Sequence, residues 1–220
     1  MILITGASSG LGAALAKQYV SDNENVIITG RDPSKLCKVS KGLSAKIEAL
    51  SVDLADAEQV STMFDSIPRP DMVVHCAGSG YFGPLELQNP NQIRNLIDNN
   101  LLTTIHLLQE LVQRYRDKPT QVVIIMSTAA QTAKAGESTY CAVKWGVKGL
   151  VESVRLELKG EKMKLIGVYP GGMATEFWQT SGKQLDTSSF MSAEEAAKMI
   201  KNALQSTSNG YISDIVVNRM

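Results

Sequence analysis

A surplus of either charge is missing from this chain: 22 Lys and Arg stand against 22 Asp and Glu, and no Lys/Arg-rich run occurs. That balance argues against nucleic acid and an anionic membrane surface as partners. No uncharged apolar stretch approaches the roughly 20 residues of a membrane span, and the first residues enter a strand-like pattern without a cleavable leader. A cytoplasmic location is the expectation. Cysteine and histidine are scarce as well. Cys37, Cys76 and Cys141 are odd in number with no short spacing, so neither a disulfide framework nor a zinc site is suggested. His75 and His106 have no companion ligands, and no metal is expected. The 220 residues, 44% hydrophobic and 20% charged, suffice for one substantial core, and no linker divides them. A single domain over 1–220 follows.

What is present begins with an apolar run, Met1 to Thr5, followed at once by Gly6-Ala7-Ser8-Ser9-Gly10-Leu11-Gly12 and a helical pattern at Leu11, Leu15 and Tyr19. Glycines between a strand and a helix let the backbone turn tightly and approach a pyrophosphate, whose charge sits on the helix's free N–H groups. A glycine cluster alone can be only a tight turn; its place after an N-terminal strand favours a nucleotide. A second strand, Val26 to Thr29, ends at Gly30-Arg31. No acid occupies that tip to hold the ribose hydroxyls of NAD, and Arg31 offers a guanidinium to the 2′-phosphate of NADP. Asp32 caps the next helix, with Pro33 at its first position.

Strand patterns recur at Ile47 to Val52, Met72 to Cys76, Gln121 to Met126, Lys164 to Tyr169 and Tyr211 to Val217. Helical patterns lie between them: Asp56 to Ile67, one long amphipathic helix from Asn91 to Tyr115, Ser138 to Leu158, and a last one opened by a Ser192-x-x-Glu195 capping box. The pair Asn99-Asn100 in the long helix suggests a functional role or a local bend, because asparagine competes for backbone groups. Alternation of strand and helix predicts an α/β fold: a Rossmann-type doubly wound parallel sheet of about seven strands with helices on both faces, in three layers. All the loops singled out follow strands. They therefore gather at one edge of the sheet.

The stretch Ser127 to Lys144 is the candidate for chemistry, although a Tyr and a Lys four apart also occur by chance on many helices. Tyr140 and Lys144 are four apart and share a helix face, so the ammonium acts on the phenol and draws its pKa down from about 10. Ser127, after a strand, adds a hydroxyl for a substrate oxygen.

Taken together these residues resemble the short-chain dehydrogenase/reductase family, in its compact single-domain branch and over essentially the whole chain. Thr5-Gly6-x-x-x-Gly10-x-Gly12 is similar to its cofactor signature, Ala77-Gly78 to a turn after a strand, and Pro170-Gly171-x-x-x-Thr175 to the segment that holds the nicotinamide carboxamide and pyrophosphate. The resemblance implies hydride transfer between NADP(H) and a carbonyl or secondary alcohol. Ser127, Tyr140, Lys144 and Asn100 would form the catalytic set. Cofactor contacts would come from Gly6, Ser8, Ser9, Gly10, Leu11, Gly12, Arg31, Asp53 beside the adenine, Leu54, Ala77, Gly78, Tyr140, Lys144, Pro170, Gly171, Met173 and Thr175. Three departures stand out. His75-Cys76 replaces the usual two asparagines, which puts in doubt the hydrogen bonds that support the following turn; Ala130 replaces a common glycine, and the stretch between Thr175 and Ser192 is short.

The partner implied is a small-molecule carbonyl or alcohol. Tyr81, Phe82, Met173, Phe177, Trp178 and Phe190 are candidates to line its pocket or, equally, to pack a lid, and Glu137 and Glu176 add charge at the rim. A homodimer or homotetramer through the helices near 91–115 and 138–158 is the family's habit. The competing reading is an NADP(H)-binding regulatory or sensor module with little catalysis. An epimerase or dehydratase with resident NAD fits less well, since Gly30-Arg31 stands where those relatives carry an acid.

Overall fold

The chain is seen in a computed structural model that describes residues 1–41, 43, 46–183, 185–205, 207 and 209–220. Ile2–Thr5 forms β1, buried throughout, and Gly10–Ser21 forms α1. β2 (Val26–Gly30) leads to α2 (Pro33–Ser40), β3 (Ile47–Ser51) to α3 (Ala57–Ser66), and β4 (Met72–His75) to α4 (Pro90–Ile97) and α5 (Thr103–Tyr115). Then come β5 (Gln121–Ile125), α6 (Ser138–Glu157) and β6 (Lys164–Pro170). The chain closes with β7 (Met173–Ala174), the single turn α7 (Phe177–Thr180), β8 (Met191–Ser192), α8 (Ala193–Ala203) and β9 (Asp214–Val217).

Seven strands form one sheet in the order β3-β2-β1-β4-β5-β6-β9, and every neighbouring pair is parallel. Alternation along each strand builds two cores from the same strands. Ile4, Val74 and Val123 face Leu15, Leu36 and Ile200 of α1, α2 and α8, whereas Leu3, Val73 and Val122 face Phe64, Leu111 and Val151 of α3, α5 and α6. The result is the expected three-layer, doubly wound sheet. Strand order turns back at β1 and β4, and a crevice opens there beyond their carboxyl ends.

Local sequence sets several helix starts. Asp32 Oδ1 accepts from the Ser34 and Lys35 N–H groups at 2.9 and 3.1 Å, Asp56 Oδ1 does the same for Glu58 and Gln59 at 3.0 and 3.2 Å, and Ser192 and Glu195 close a reciprocal box.

The expected long helix over 91–115 is interrupted. Asp98–Leu102 is a π-helical turn between α4 and α5. Asn100 Nδ2 donates to the Leu96 carbonyl at 2.8 Å, taking an acceptor that a regular α-helix would give to a backbone N–H. The final strand is also shorter than its apolar pattern: it begins at Asp214, which Arg155 and Tyr169 hold by an ion pair at 3.1 Å and a hydrogen bond at 3.0 Å. Tyr211 and Ile212 precede it and are exposed. The short stretch between Thr175 and Ser192 holds α7, and β7 just before it pairs with β8 at its end.

Candidate active site

Directly after β1, Gly6 turns with φ +63° and leaves no space for a side chain: a Cβ would lie 2.4 Å from the Ala77 nitrogen. A Cβ on Gly12 would lie 2.6 Å from the Gly6 carbonyl oxygen. These glycines let the loop after β1, the start of α1 and the turn after β4 collapse onto one another. Unlike α2 and α3, α1 begins without a side-chain cap, and it has no acid in its first turn. Its N–H groups and positive dipole end are left to face a cavity of about 380 Å³, lined there by Ser9, Gly10, Leu11 and Gly12. Arg31 and Lys35 bring positive charge to the same cavity, with Lys35 Nζ 3.5 Å from Glu176 Oε2.

At its other end the cavity is lined by Ser127, Tyr140 and Lys144. Ser127 caps the short turn Thr128–Ala130, its Oγ accepting from the Ala129 N–H at 3.1 Å. Its own hydroxyl proton is thereby left to give elsewhere. Tyr140 and Lys144 sit on α6, both buried, with Lys144 Nζ 5.8 Å from the Tyr140 ring centre. Phe82 meets the Tyr140 ring edge-on at 5.1 Å, and Phe177 lies 6.0 Å away.

Asn100 stands behind this row. Its Nδ2 is used twice, toward the Leu96 and Ser79 carbonyls at 2.8 and 3.0 Å, and its buried Oδ1 has no hydrogen-bond partner among the described residues. A Cβ on Gly78 would lie 2.8 Å from that Oδ1 and 3.4 Å from Lys144 Nζ. The missing side chain of Gly78 is therefore what lets amide and ammonium converge. An unpaired buried acceptor is costly and invites a donor.

Burial dominates the proton affinities. It pushes the Tyr140 phenol above its ordinary value, with Glu137 and Cys141 adding to the rise and the Ser127 hydroxyl pulling the other way. The expected lowering by Lys144 is not what sets this phenol. Lys144 itself is brought down to about 8, again by burial, and Cys76 is pushed up to about 12 by burial against the pull of Lys144.

The doubted support at the tip of β4 is supplied by other means. His75 Nδ1 lies 2.7 Å from Thr5 Oγ1 and its Nε2 lies 3.1 Å from Thr104 Oγ1. The imidazole therefore ties the cofactor-side loop to the start of α5, and burial lowers its pKa to about 3.

Of the residues singled out in the sequence, Gly6, Arg31, Gly78, Pro170, Gly171, Met173 and Thr175 line the cavity with those already named, while Ser8, Asp53, Leu54, Ala77 and Asn100 do not. Ser8 packs behind the loop against the tip of β2, where a Cβ on Gly30 would meet it at 3.4 Å. Asp53 is turned onto its own loop, accepting from the Ala55 N–H at 3.0 Å, and Leu54 is buried with its carbonyl 3.2 Å from His106 Nδ1. Among the aromatic candidates, Phe82, Phe177 and Trp178 line the cavity. Tyr81 instead accepts the Asn89 N–H at 2.8 Å, and Phe190 packs on Gly172 and under Arg219. Glu137 lines the cavity but is only 8% exposed. Lys35 and Lys134 were missed; Lys35 lies four residues beyond Arg31, in the first turn of α2.

The crevice, the uncapped start of α1 and the buried phenol–ammonium pair share one cavity of a Rossmann-type fold, and comparison with known proteins gives the family. Residues 1–186 match the family model described as short chain dehydrogenase, and the chain belongs to the short-chain dehydrogenase/reductase family. A solved short-chain dehydrogenase/reductase from Vibrio parahaemolyticus is 61% identical, with a TM-score of 0.94 over 100% of this chain and 97% of that one. Among curated proteins, the chain is 28% identical to sepiapterin reductase of Chlorobaculum tepidum, over 99% of its own length and 95% of that protein's. It is 27% identical to the 3-ketodihydrosphingosine reductase TSC10 of Yarrowia lipolytica, matching 98% of itself but spanning only 65% of that protein. No helix among the described residues is long and apolar enough to cross a membrane.

Proposed function

We propose that this chain transfers a hydride between NADP(H) and a carbonyl or secondary alcohol, with Tyr140 as the general acid and base. The observation that carries the reading is that one cavity joins the uncapped start of α1 to Ser127, Tyr140 and Lys144. The bound cofactor would supply the hydride. The N–H groups of α1 would hold its pyrophosphate, and Lys144 its ribose hydroxyls. A phenol held neutral by burial is poised to donate its proton to a developing alkoxide, and the spare Ser127 proton stabilises the same oxygen. The unpaired Asn100 Oδ1, which reaches the same space as Lys144 Nζ, is an acceptor for a water that refills the proton from solvent. NADPH absorbance followed against a panel of ketones and aldehydes tests this: consumption with at least one class is expected, whereas binding without oxidation would mark a sensor module.

Preference for NADP(H) rests on Arg31 and Lys35 at the cavity and on Gly30 at the tip of β2. Charge-assisted hydrogen bonds contribute about 1.5–3 kcal/mol each, so Arg31→Ala should weaken NADPH binding about 10- to 100-fold and leave NADH binding nearly unchanged. An unchanged preference would remove Arg31 from this role.

Association through the α4–α6 surface is a further expectation. Ile97, Ile105 and Trp145 are 41%, 37% and 47% exposed there, apolar area that a second copy would cover. Light scattering should give a dimer or tetramer, and Trp145→Glu should shift it toward monomer; a monomeric wild type would discard the interface.

A further inference from the structure

Glu137 precedes Tyr140 by one helical turn and lines the cavity, yet its side chain is only 10% exposed. A carboxylate removed from water requires a cation or strong donors. Lys183 is the cation paired with it, its Nζ 3.4 Å from Glu137 Oε1 and 5.9 Å from the Phe82 ring centre. That is a loose contact made by a side chain that is 41% exposed. The chain's own ammonium thus sits between a carboxylate and an aromatic ring, the surroundings that recognise a protonated amine. Phe82 also packs against Tyr140, so this ammonium position lies one ring from the proposed proton donor. Lys134, which lines the cavity, is exposed and donates to Thr128 Oγ1 at 3.1 Å.

We infer that Glu137 and Phe82 form a subsite for the ammonium group of the substrate, that the substrate is an amine-bearing carbonyl or alcohol, and that Lys183 is a tethered occupant which the substrate displaces. This rests on reading the cavity as the substrate site and goes further by naming a substrate class.

Binding separates the two. With NADP+ present, the wild type is expected to bind 2-phenylethylamine at neutral pH at least about tenfold more tightly than 2-phenylethanol, the scale of one charge-assisted hydrogen bond. Glu137→Gln should erase that difference, and Lys183→Met, a change on an exposed side chain, should tighten amine binding several-fold by removing the competitor. Equal binding of the two compounds by the wild type and by Lys183→Met would overturn the subsite. So would a Glu137→Gln variant that weakens both compounds equally, since the pair would then be only a latch between α6 and the segment after α7. A measured amine preference in a protein that oxidises no NADPH with any ketone would keep the subsite and remove the oxidoreductase reading; turnover without the preference would do the reverse.

Discussion

Replacing Tyr140 by Phe is expected to lower carbonyl turnover by at least about 10²-fold, the lower end of what a placed proton donor contributes, while NADPH binding stays near that of the wild type. The ring is what packs: it meets Phe82 at 5.1 Å and Phe177 at 6.0 Å, contacts that Phe retains, so the variant should fold and melt much as the wild type does. Only the hydroxyl is lost. Ser127 is not a substitute, because an alkyl hydroxyl is a far weaker acid than a phenol; its proposed role is to hold the oxygen that Tyr140 would protonate. Lys144 sets the pH limb. With its pKa brought to about 8, the ammonium is present at neutral pH and disappears above that value, so kcat/KM for carbonyl reduction should be level near pH 7 and fall above about pH 8. Lys144→Met should lower the level and remove that fall. Turnover of Tyr140→Phe within about tenfold of wild type would show that the proton comes from elsewhere.

The parts legible in the sequence were those whose causes are local. Apolar runs such as Val122 to Ile125 can only be strands buried on both faces, and Asp32, Asp56 and Ser192 mark helix starts because their side chains reach N–H groups two or three residues on. The glycines of the first loop and the order Ser127, Tyr140, Lys144 were legible for the same reason, being read from spacing along one segment. What was not legible depends on segments far apart in the chain. The π-turn forms because Asn100 spends its amide on Leu96 and on Ser79, a residue 21 positions earlier. Glu137 is buried because Lys183 returns over it from beyond α7, and β7 finds β8 across an irregular stretch that carries no strand pattern. The phenol's upward shift is of this kind too. Spacing places Lys144 near Tyr140, but burial, which outweighs the charge, is a property of the assembled site.

His75 carries the other large effect, on stability rather than rate. Thr104 Oγ1 gives its proton to the Asn100 carbonyl at 2.6 Å, so toward His75 it can only accept, and Nε2 must carry the ring's hydrogen. Nδ1 is then the acceptor for Thr5 Oγ1 at 2.7 Å. Both partners are satisfied by the neutral ring, and protonation would set two donors against each other in a buried site. Burial, with the Lys144 charge adding to it, holds the folded pKa near 3 against an ordinary 6.5. The sign follows: below pH 6.5 the unfolded chain takes up a proton that the folded chain refuses until about pH 3, so stability is lost as pH falls, by about 1.4 kcal/mol per pH unit. From pH 6.5 to pH 4.5 the loss should be on the order of 2–3 kcal/mol, read from urea midpoints. The lowered carboxylates, Asp56, Asp71, Asp214 and Glu195 among them, contribute chiefly below that window, because their ordinary values are 3.8 or 4.5. His75→Asn keeps hydrogen-bonding capacity beside the threonines and cannot titrate, so its stability should be nearly level over the same range. An equal slope in both proteins would place the acid sensitivity outside this ring. A level slope in the variant would tie the acid sensitivity to the side chain that joins the end of β1 to the first turn of α5.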